Sequence, residues 1–156
     1  MRHFPQIGGG QVINSPILAP AAILVLWSLI MLLWMAAVRL PGMSKAGIDL
    51  KTAPPGGRGI DLEPVLPAKA NWLSHNYTHL MEQPTIFYAA VAILALSGAG
   101  DGINATLAWA YVGLRIIHSL WQALVNVTAV RFLIFLISTI CLFALAINAV
   151  RATLGT

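Results

Sequence analysis

Two otherwise apolar segments carry polar side chains at helical spacing. In the first, His75, His79 and Glu82 are separated by four and three residues, which places them on one face of an α-helix. The second segment has four polar residues at spacings of four, three and four: Tyr111, Arg115, His118 and Gln122. Ionisable groups at membrane depth are costly, so they face a bundle interior or a wet cavity and usually have a partner. We therefore predict that the two polar faces meet inside a helix bundle.

Glu82 and Arg115 lie near the middle of their segments. Counted from opposite sides, Glu82 is about ten residues (roughly 15 Å) and Arg115 about twelve residues (roughly 18 Å) into its helix. Neither charge is stable alone in hydrocarbon, so we predict an ion pair or a shared hydrogen-bond network between them. Such a pair could also serve only to fix helix packing. The two histidines with Glu82 also have the spacing of a metal site, although no fourth ligand is evident except His118, and we predict no metal.

Composition identifies the environment in which these residues act. The chain has 156 residues, of which 58% are hydrophobic and 9% charged, and its mean hydropathy is +0.81. This exceeds what the core of a soluble domain of this size needs. The net charge is +4, but the nine basic residues form no patch, which argues against a nucleic-acid partner. Cys141 is the single cysteine and lies in an apolar run, so we expect it to be a packing residue.

The apolar runs predict an all-α, integral membrane four-helix bundle in contact with the lipid bilayer. Each run is long enough to cross about 30 Å of hydrocarbon at about 1.5 Å per residue. Ser15 and Pro16 would supply the N-cap and first turn of the first helix. The predicted spans are residues 17–38, 71–96, 103–125 and 129–150. Outside them we predict an extramembrane arm (1–16), a long loop (39–70) and a tail (151–156).

The basic residues predict the orientation. The side with the long loop carries six of them: Arg39, Lys45, Lys51, Arg58, Lys69 and Arg131. The other side has mainly Arg2 and Arg151. Because cytoplasmic loops are enriched in Lys and Arg, we expect residues 39–70 in the cytoplasm and both termini outside it.

Two stretches resemble a known family. The segment His75–Tyr88, HNYTHLMEQPTIFY, and the segment Trp109–Leu120, WAYVGLRIIHSL, followed by Arg131-Phe132, resemble the bacterial branch of the MAPEG family. These are the membrane-associated proteins in eicosanoid and glutathione metabolism, and the resemblance covers about residues 17–150. The family's second-span signature is Arg, three residues, Asn, two residues, Glu. Aligned on Glu82, His79 stands at the asparagine and His75 at the arginine.

The resemblance implies an architecture and a chemistry. It implies a homotrimer in the bacterial inner membrane, with glutathione as cosubstrate between protomers near the cytoplasmic side. Family enzymes conjugate glutathione to lipophilic electrophiles, reduce lipid hydroperoxides or isomerise lipids. The implied thiolate stabiliser and catalytic residue is Arg131. The implied binding residues are His75, Asn76, His79, Glu82, Tyr111, Arg115, His118 and Gln122.

The role of Arg131 has a physical rationale. A thiol of pKa about 8.5 is mostly protonated at neutral pH and only the thiolate attacks, so a fixed cation beside the sulfur raises the reactive fraction. Arg131 could equally be an anchor at the cytoplasmic interface. Replacement of the signature arginine and asparagine also leaves open a non-catalytic accessory subunit, a lipid- or metal-binding protein on the same fold, or a member of a larger membrane complex. A transporter is disfavoured, since the chain shows no internal repeat.

Overall fold

The protein is a helical bundle. The structure is a computed structural model that describes residues 14–49, 51–52 and 55–155. Over these residues it contains four α-helices, one 3₁₀-helix and no strand, which confirms the predicted all-α class. The α-helices are α1 (Leu18–Lys45), α2 (Ala68–Leu96), α3 (Gly102–Leu124) and α4 (Thr128–Leu154), and the 3₁₀-helix is Gly59–Leu62. Most of the predicted arm, residues 1–13, lies outside the described residues.

Two helices run past the ends of the predicted spans. α1 continues beyond residue 38 through Pro41 to Lys45, and α4 includes Arg151, so most of the predicted tail is helical. Hydropathy reports where the apolar run ends, but a helix can continue into the interface beyond it. Pro41 does not stop α1, because a proline inside a helix removes one backbone hydrogen bond without necessarily ending the helix.

The start of α1 differs from the prediction. Ile17 is the N-cap residue and no side chain caps this end, so the expected capping role of Ser15 is wrong. The Ile17 N–H instead donates to the carbonyl of Gly100 at 3.0 Å, and the Leu18 N–H donates to the carbonyl of Ser15 at 3.0 Å. A tertiary contact with the α2–α3 turn therefore satisfies a backbone donor that a side-chain cap would otherwise bind.

Three of the described helices are long and apolar enough to cross a membrane: α1, α2 and α4. α3, with 23 residues, is not among them. The fourth span therefore stays a prediction. The buried residues of α3 include Tyr111, Arg115, His118 and Gln122, so its polar face is directed into the protein.

Within the described residues, α2 and α3 form the centre of the bundle. Both contact α1 and α4, whereas α1 and α4 do not contact each other, and α3 packs most extensively on α4. The rings of Phe87 on α2 and Tyr111 on α3 stack with centroids 4.4 Å apart. α1 contributes Leu24 and Met31, and its N-cap residue Ile17 joins them; all three are fully buried. The outer faces of α1 and α4 remain apolar and exposed, as expected for surfaces that meet lipid.

Gly100 allows the α2–α3 turn to pack on the start of α1. A Cβ atom at this position would lie 2.0 Å from Ser15 Oγ and 2.8 Å from Ile17 Cγ2. A Cβ at Gly113, in the middle of α3, would meet nothing within 4 Å. The two glycines therefore form a matched pair, one required by packing and one replaceable.

We predict that Gly100→Ala lowers the thermal unfolding midpoint of the detergent-solubilised protein. The added methyl group must displace the start of α1, and overpacking of this kind costs about 1–3 kcal/mol. Gly113→Ala should leave the midpoint unchanged or raise it, because alanine favours helix by up to about 1 kcal/mol. Equal midpoints for Gly100→Ala and the wild type would contradict this account of the turn.

Candidate functional site

Arg115 is a buried cation that connects three helices. Its side chain is 1% exposed. Its Nη2 donates to the carbonyl of His79 on α2 at 2.7 Å, and its guanidinium carbon lies 5.8 Å from the ring centroid of Phe135 on α4. A hydrogen bond and a cation–π contact thus hold the positive charge of α3 against both neighbouring helices.

Glu82 does not form the predicted ion pair with Arg115. Its side chain is 59% exposed, and its Oε2 lies 3.1 Å from His79 Nδ1. Arg115 bonds the backbone of the same histidine. The direct ion pair is therefore absent, and the two charged residues are instead linked through His79, which is the other arrangement expected, a shared polar network.

The buried face of α2 explains why Glu82 points outward. This face is formed mainly by apolar residues at helical spacing: Leu73, Asn76, Leu80, Pro84, Phe87, Val91 and Leu94. His75, His79 and Glu82 lie on the flank of this face or beyond it. Burial of the larger apolar set determines how α2 is rotated, so the polar stripe is placed at the edge of the helix contact instead of at its centre.

Asn76 lies inside the contact between α2 and α3. It is fully buried, and its Nδ2 donates to Ser119 Oγ at 2.8 Å. His75, its neighbour in sequence, is exposed, and its Nε2 lies 2.7 Å from Glu63 Oε1. Two adjacent candidate residues therefore face different surroundings.

A cavity of about 210 Å³ lies between α2, α3 and the first turns of α4. It brings together three candidate residues: His79, His118 and Arg131. Its other lining residues are Thr128, Phe132 and Phe135. The His79 and His118 rings meet edge to face with centroids 6.1 Å apart. The cavity thus combines a permanent cation and two imidazoles with an aromatic wall.

Asn126 holds the guanidinium of Arg131 at this cavity. Arg131 Nη1 donates to Asn126 Oδ1 at 2.7 Å. Asn126 lies in the α3–α4 turn with a φ of +58°, a left-handed conformation that asparagine tolerates better than most residues. The Asn126 N–H also donates to the carbonyl of Trp121 at 2.7 Å. The turn therefore orients the cation as α4 begins.

A second cavity, of about 550 Å³, adjoins the first and shares His79 with it. Its loop wall is formed by Arg58, Gly59, Ile60 and Glu63, and its helix wall by Ser74, His75, Thr78 and His79. Together the two cavities follow one flank of α2 for about one turn of helix. Both lie at the end of the bundle that carries the long loop.

Two further candidate residues lie away from these cavities. Tyr111 is fully buried, and its hydroxyl donates to Gln83 Oε1 at 3.3 Å. Gln83 Nε2 in turn donates to Thr139 Oγ1 at 2.8 Å, which links α2 to α4. The side-chain amide of Gln122 is buried and has no hydrogen-bond partner within the described part of the chain. The structure therefore divides the predicted site into a cavity-lining group and a packing group.

Comparison with known proteins identifies the family. A model of the MAPEG family matches residues 17–151, which is most of the chain. The protein belongs to the MAPEG family. No curated protein and no solved structure gives a significant match. Family membership and the three apolar helices make it a membrane protein.

Sequence reasoning missed several residues that line the cavities of this MAPEG protein. Phe135 could have been found, because it follows Arg131 by four residues and so shares its helix face. Arg58 and Glu63 gave no such signal, because they lie in the long irregular loop, where side-chain direction follows no period. No group of three His, Cys, Asp or Glu side chains within the described ranges could hold a metal ion.

Proposed function

We propose that this MAPEG protein is a membrane enzyme that uses glutathione to attack lipophilic electrophiles, as a transferase or a peroxidase. One observation carries the proposal: Arg131, a permanent cation, borders a cavity whose wall includes Phe132 and Phe135. A cation stabilises a thiolate, and an aromatic wall accommodates a lipophilic partner. The two requirements of the reaction thus meet in one place.

Arg131 would act on the thiol of the bound peptide. Its guanidinium has five N–H donors, and its Nη1 also donates to Asn126. The thiol proton leaves to solvent and the sulfur remains as a thiolate beside the guanidinium. In conjugation, the sulfur forms a bond to the electrophilic carbon while the leaving group departs with its electron pair. In peroxide reduction, the sulfur attacks the terminal hydroperoxide oxygen, and the O–O bond breaks with its electron pair leaving on the alkoxide, which takes a proton from solvent. The resulting sulfenic acid then reacts with the thiol of a second glutathione to give the disulfide and water.

The space available fits a tripeptide. The cavities of about 210 and 550 Å³ share His79, and small-molecule sites typically measure about 300–1,000 Å³. Hydrogen-bonding groups line both of them, including His75 and His79 at the positions of the signature arginine and asparagine. We propose that the peptide extends from the larger cavity into the smaller one, with its sulfur at Arg131.

The lipophilic substrate would enter from the bilayer. Phe132 is 63% exposed on the outer surface of α4, so the aromatic wall of the cavity continues onto the apolar side of the bundle. The excess of basic residues at this end favours the cytoplasmic side for the thiol and the outside for both termini. We propose the bacterial inner membrane as the location.

Exposure of Glu82 supports self-association. This carboxylate is 59% exposed and lies at the middle residue of α2. A carboxylate that faces hydrocarbon at this depth is costly. We propose that a neighbouring protomer covers it in a homotrimer, which would also close the open sides of both cavities.

We predict that light scattering of the purified protein in mild detergent gives a mass of three protomers. Glu82→Leu should shift the protein towards smaller species, because it removes the group that the neighbouring protomer is proposed to satisfy. Met81→Leu changes an adjacent exposed side chain without altering charge and should stay trimeric. A wild-type monomer, or an unaltered trimer for Glu82→Leu, would argue against this assembly.

A non-catalytic role is the second candidate. His75 is engaged by Glu63 at 2.7 Å and His79 by Glu82 at 3.1 Å, so both substituted positions are occupied by internal partners. This arrangement favours a site that no longer binds glutathione, as in an accessory subunit or a lipid-binding protein. Absence of glutathione binding, with co-purification of a larger membrane complex, would support this candidate over the enzyme.

We predict that Arg131→Gln reduces turnover of glutathione with a chlorinated nitroaromatic by about 100-fold. Loss of one group that stabilises a developing or resting anion has an effect of about this size. Arg131→Lys should retain part of the activity, and Arg151→Gln should retain all of it, since Arg151 is an exposed cation at the far end of α4. Steady-state kinetics measure these effects. Inactive wild-type protein would contradict the proposal, as would full activity of Arg131→Gln.

A further inference from the structure

The loop between α1 and α2 is fixed against the side of the larger cavity. Arg39 Nη1 donates to Ser74 Oγ at 2.5 Å, and its Nη2 donates to the carbonyl of Gly59. Asn71 Nδ2 donates to the carbonyl of Glu63 at 2.8 Å. Two helical side chains, Arg39 and Asn71, therefore hold the loop wall at Gly59 and Glu63 before any ligand binds.

This wall carries one cation and one anion. Arg58 and Glu63 both line the cavity, and their charges are opposite. Of the lining residues in the described chain, Arg58 is the one with a permanent positive charge. Glu63 uses Oε1 to contact His75. A carboxylate accepts several hydrogen bonds, so its second oxygen can receive another donor.

The polar groups of the helix wall are mostly engaged. Ser74 Oγ accepts from Arg39, and Thr78 Oγ1 donates to the carbonyl of Ser74 at 3.2 Å. Charged recognition in this cavity therefore depends on the loop residues. A cation and an anion that line one cavity complement a zwitterion, whereas a simple anion would be repelled by Glu63.

We propose that Arg58 and Glu63 bind an α-amino-acid head group, with Arg58 on its carboxylate and Glu63 on its ammonium. This inference rests on the proposed function, in which the head group is the γ-glutamyl end of glutathione. Arg58 then supplies from the loop the permanent charge that His75 does not supply from α2. Because His79 lies in both cavities, a head group bound here leaves the rest of the peptide directed towards Arg131.

The test uses S-methylglutathione, which has no thiol, so its binding does not depend on thiolate formation at Arg131. Isothermal titration of the full-length protein in detergent should show about tenfold weaker binding for Arg58→Gln, as expected for loss of a charge-assisted bidentate contact. Arg58→Lys should lose less. Lys51→Gln makes the same charge change in the same loop at an exposed residue outside the cavity, and its affinity should equal that of the wild type.

Two modified peptides assign the contacts. Replacing the γ-glutamyl group with 4-aminobutyryl removes the α-carboxylate, so this peptide should bind the wild type and Arg58→Gln with equal, reduced affinity. Replacing the γ-glutamyl group with glutaryl removes the ammonium. Glu63→Gln should therefore weaken binding of S-methylglutathione but not binding of the glutaryl peptide. Thermal unfolding midpoints close to that of the wild type will show that the variants are folded.

Failure of this inference is distinct from failure of the proposed function. The head-group assignment is wrong if Arg58→Gln binds S-methylglutathione as tightly as the wild type does. It is also wrong if Arg58→Gln weakens binding of the 4-aminobutyryl peptide as much as it weakens binding of S-methylglutathione. Neither result contradicts the proposed enzymatic function. If the wild type neither binds S-methylglutathione nor turns over glutathione, the proposed function fails and this inference fails with it.

Discussion

The architecture depends on the requirement that polar side chains inside a membrane bundle find partners within the protein. Arg115 meets this requirement in part at the centre of the fold. Its Nη2 donates to the carbonyl of His79 and its guanidinium lies over the ring of Phe135, whereas its Nε and Nη1 have no hydrogen-bond partner among the described residues. A guanidinium so deeply buried would be costly without such contacts. Since the partners lie on two other helices, one cation links α3 to both α2 and α4.

The cavities follow from this arrangement. Arg115 draws α2 and α4 to α3 just beside the point where α4 begins, and the α3–α4 turn then presents Arg131 at the edge of the same junction. Polar groups gather on the flank of α2, while aromatic rings form the side towards the bilayer. In the proposed function, this separation would provide a polar compartment for glutathione and an apolar route for its reaction partner.

The sequence predicted the helices and the buried face of α3 but not the rotation of α2. Long apolar runs are a strong sequence signal for helices. On α3, no longer apolar stripe competed for the buried position with the face that carries Arg115 and His118. On α2, the stripe of His75, His79 and Glu82 lies beside a longer apolar stripe, and only the packed structure shows that the latter occupies the core. Counting residues predicted the depth of Glu82 in the membrane, but it could not predict the direction in which the side chain points.

The loop contacts could not be predicted from sequence patterns, for a different reason. Arg58 and Glu63 reach the cavity because Arg39 and Asn71 fix the loop, and these contacts join residues that are distant or irregularly spaced in the chain. No helical or strand periodicity relates these residues. The helical part of the site was therefore partly predictable, whereas its loop wall required the structure.

Arg131 is proposed to hold a bound thiol in its ionised form, and the ultraviolet absorbance of the thiolate tests this role most directly. Difference spectra at neutral pH should show thiolate when glutathione binds the wild-type protein, and S-methylglutathione provides the blank. Arg131→Gln should bind glutathione with little thiolate signal. Glutathione bound to the wild type as a protonated thiol, or an equal thiolate signal in Arg131→Gln, would contradict the account.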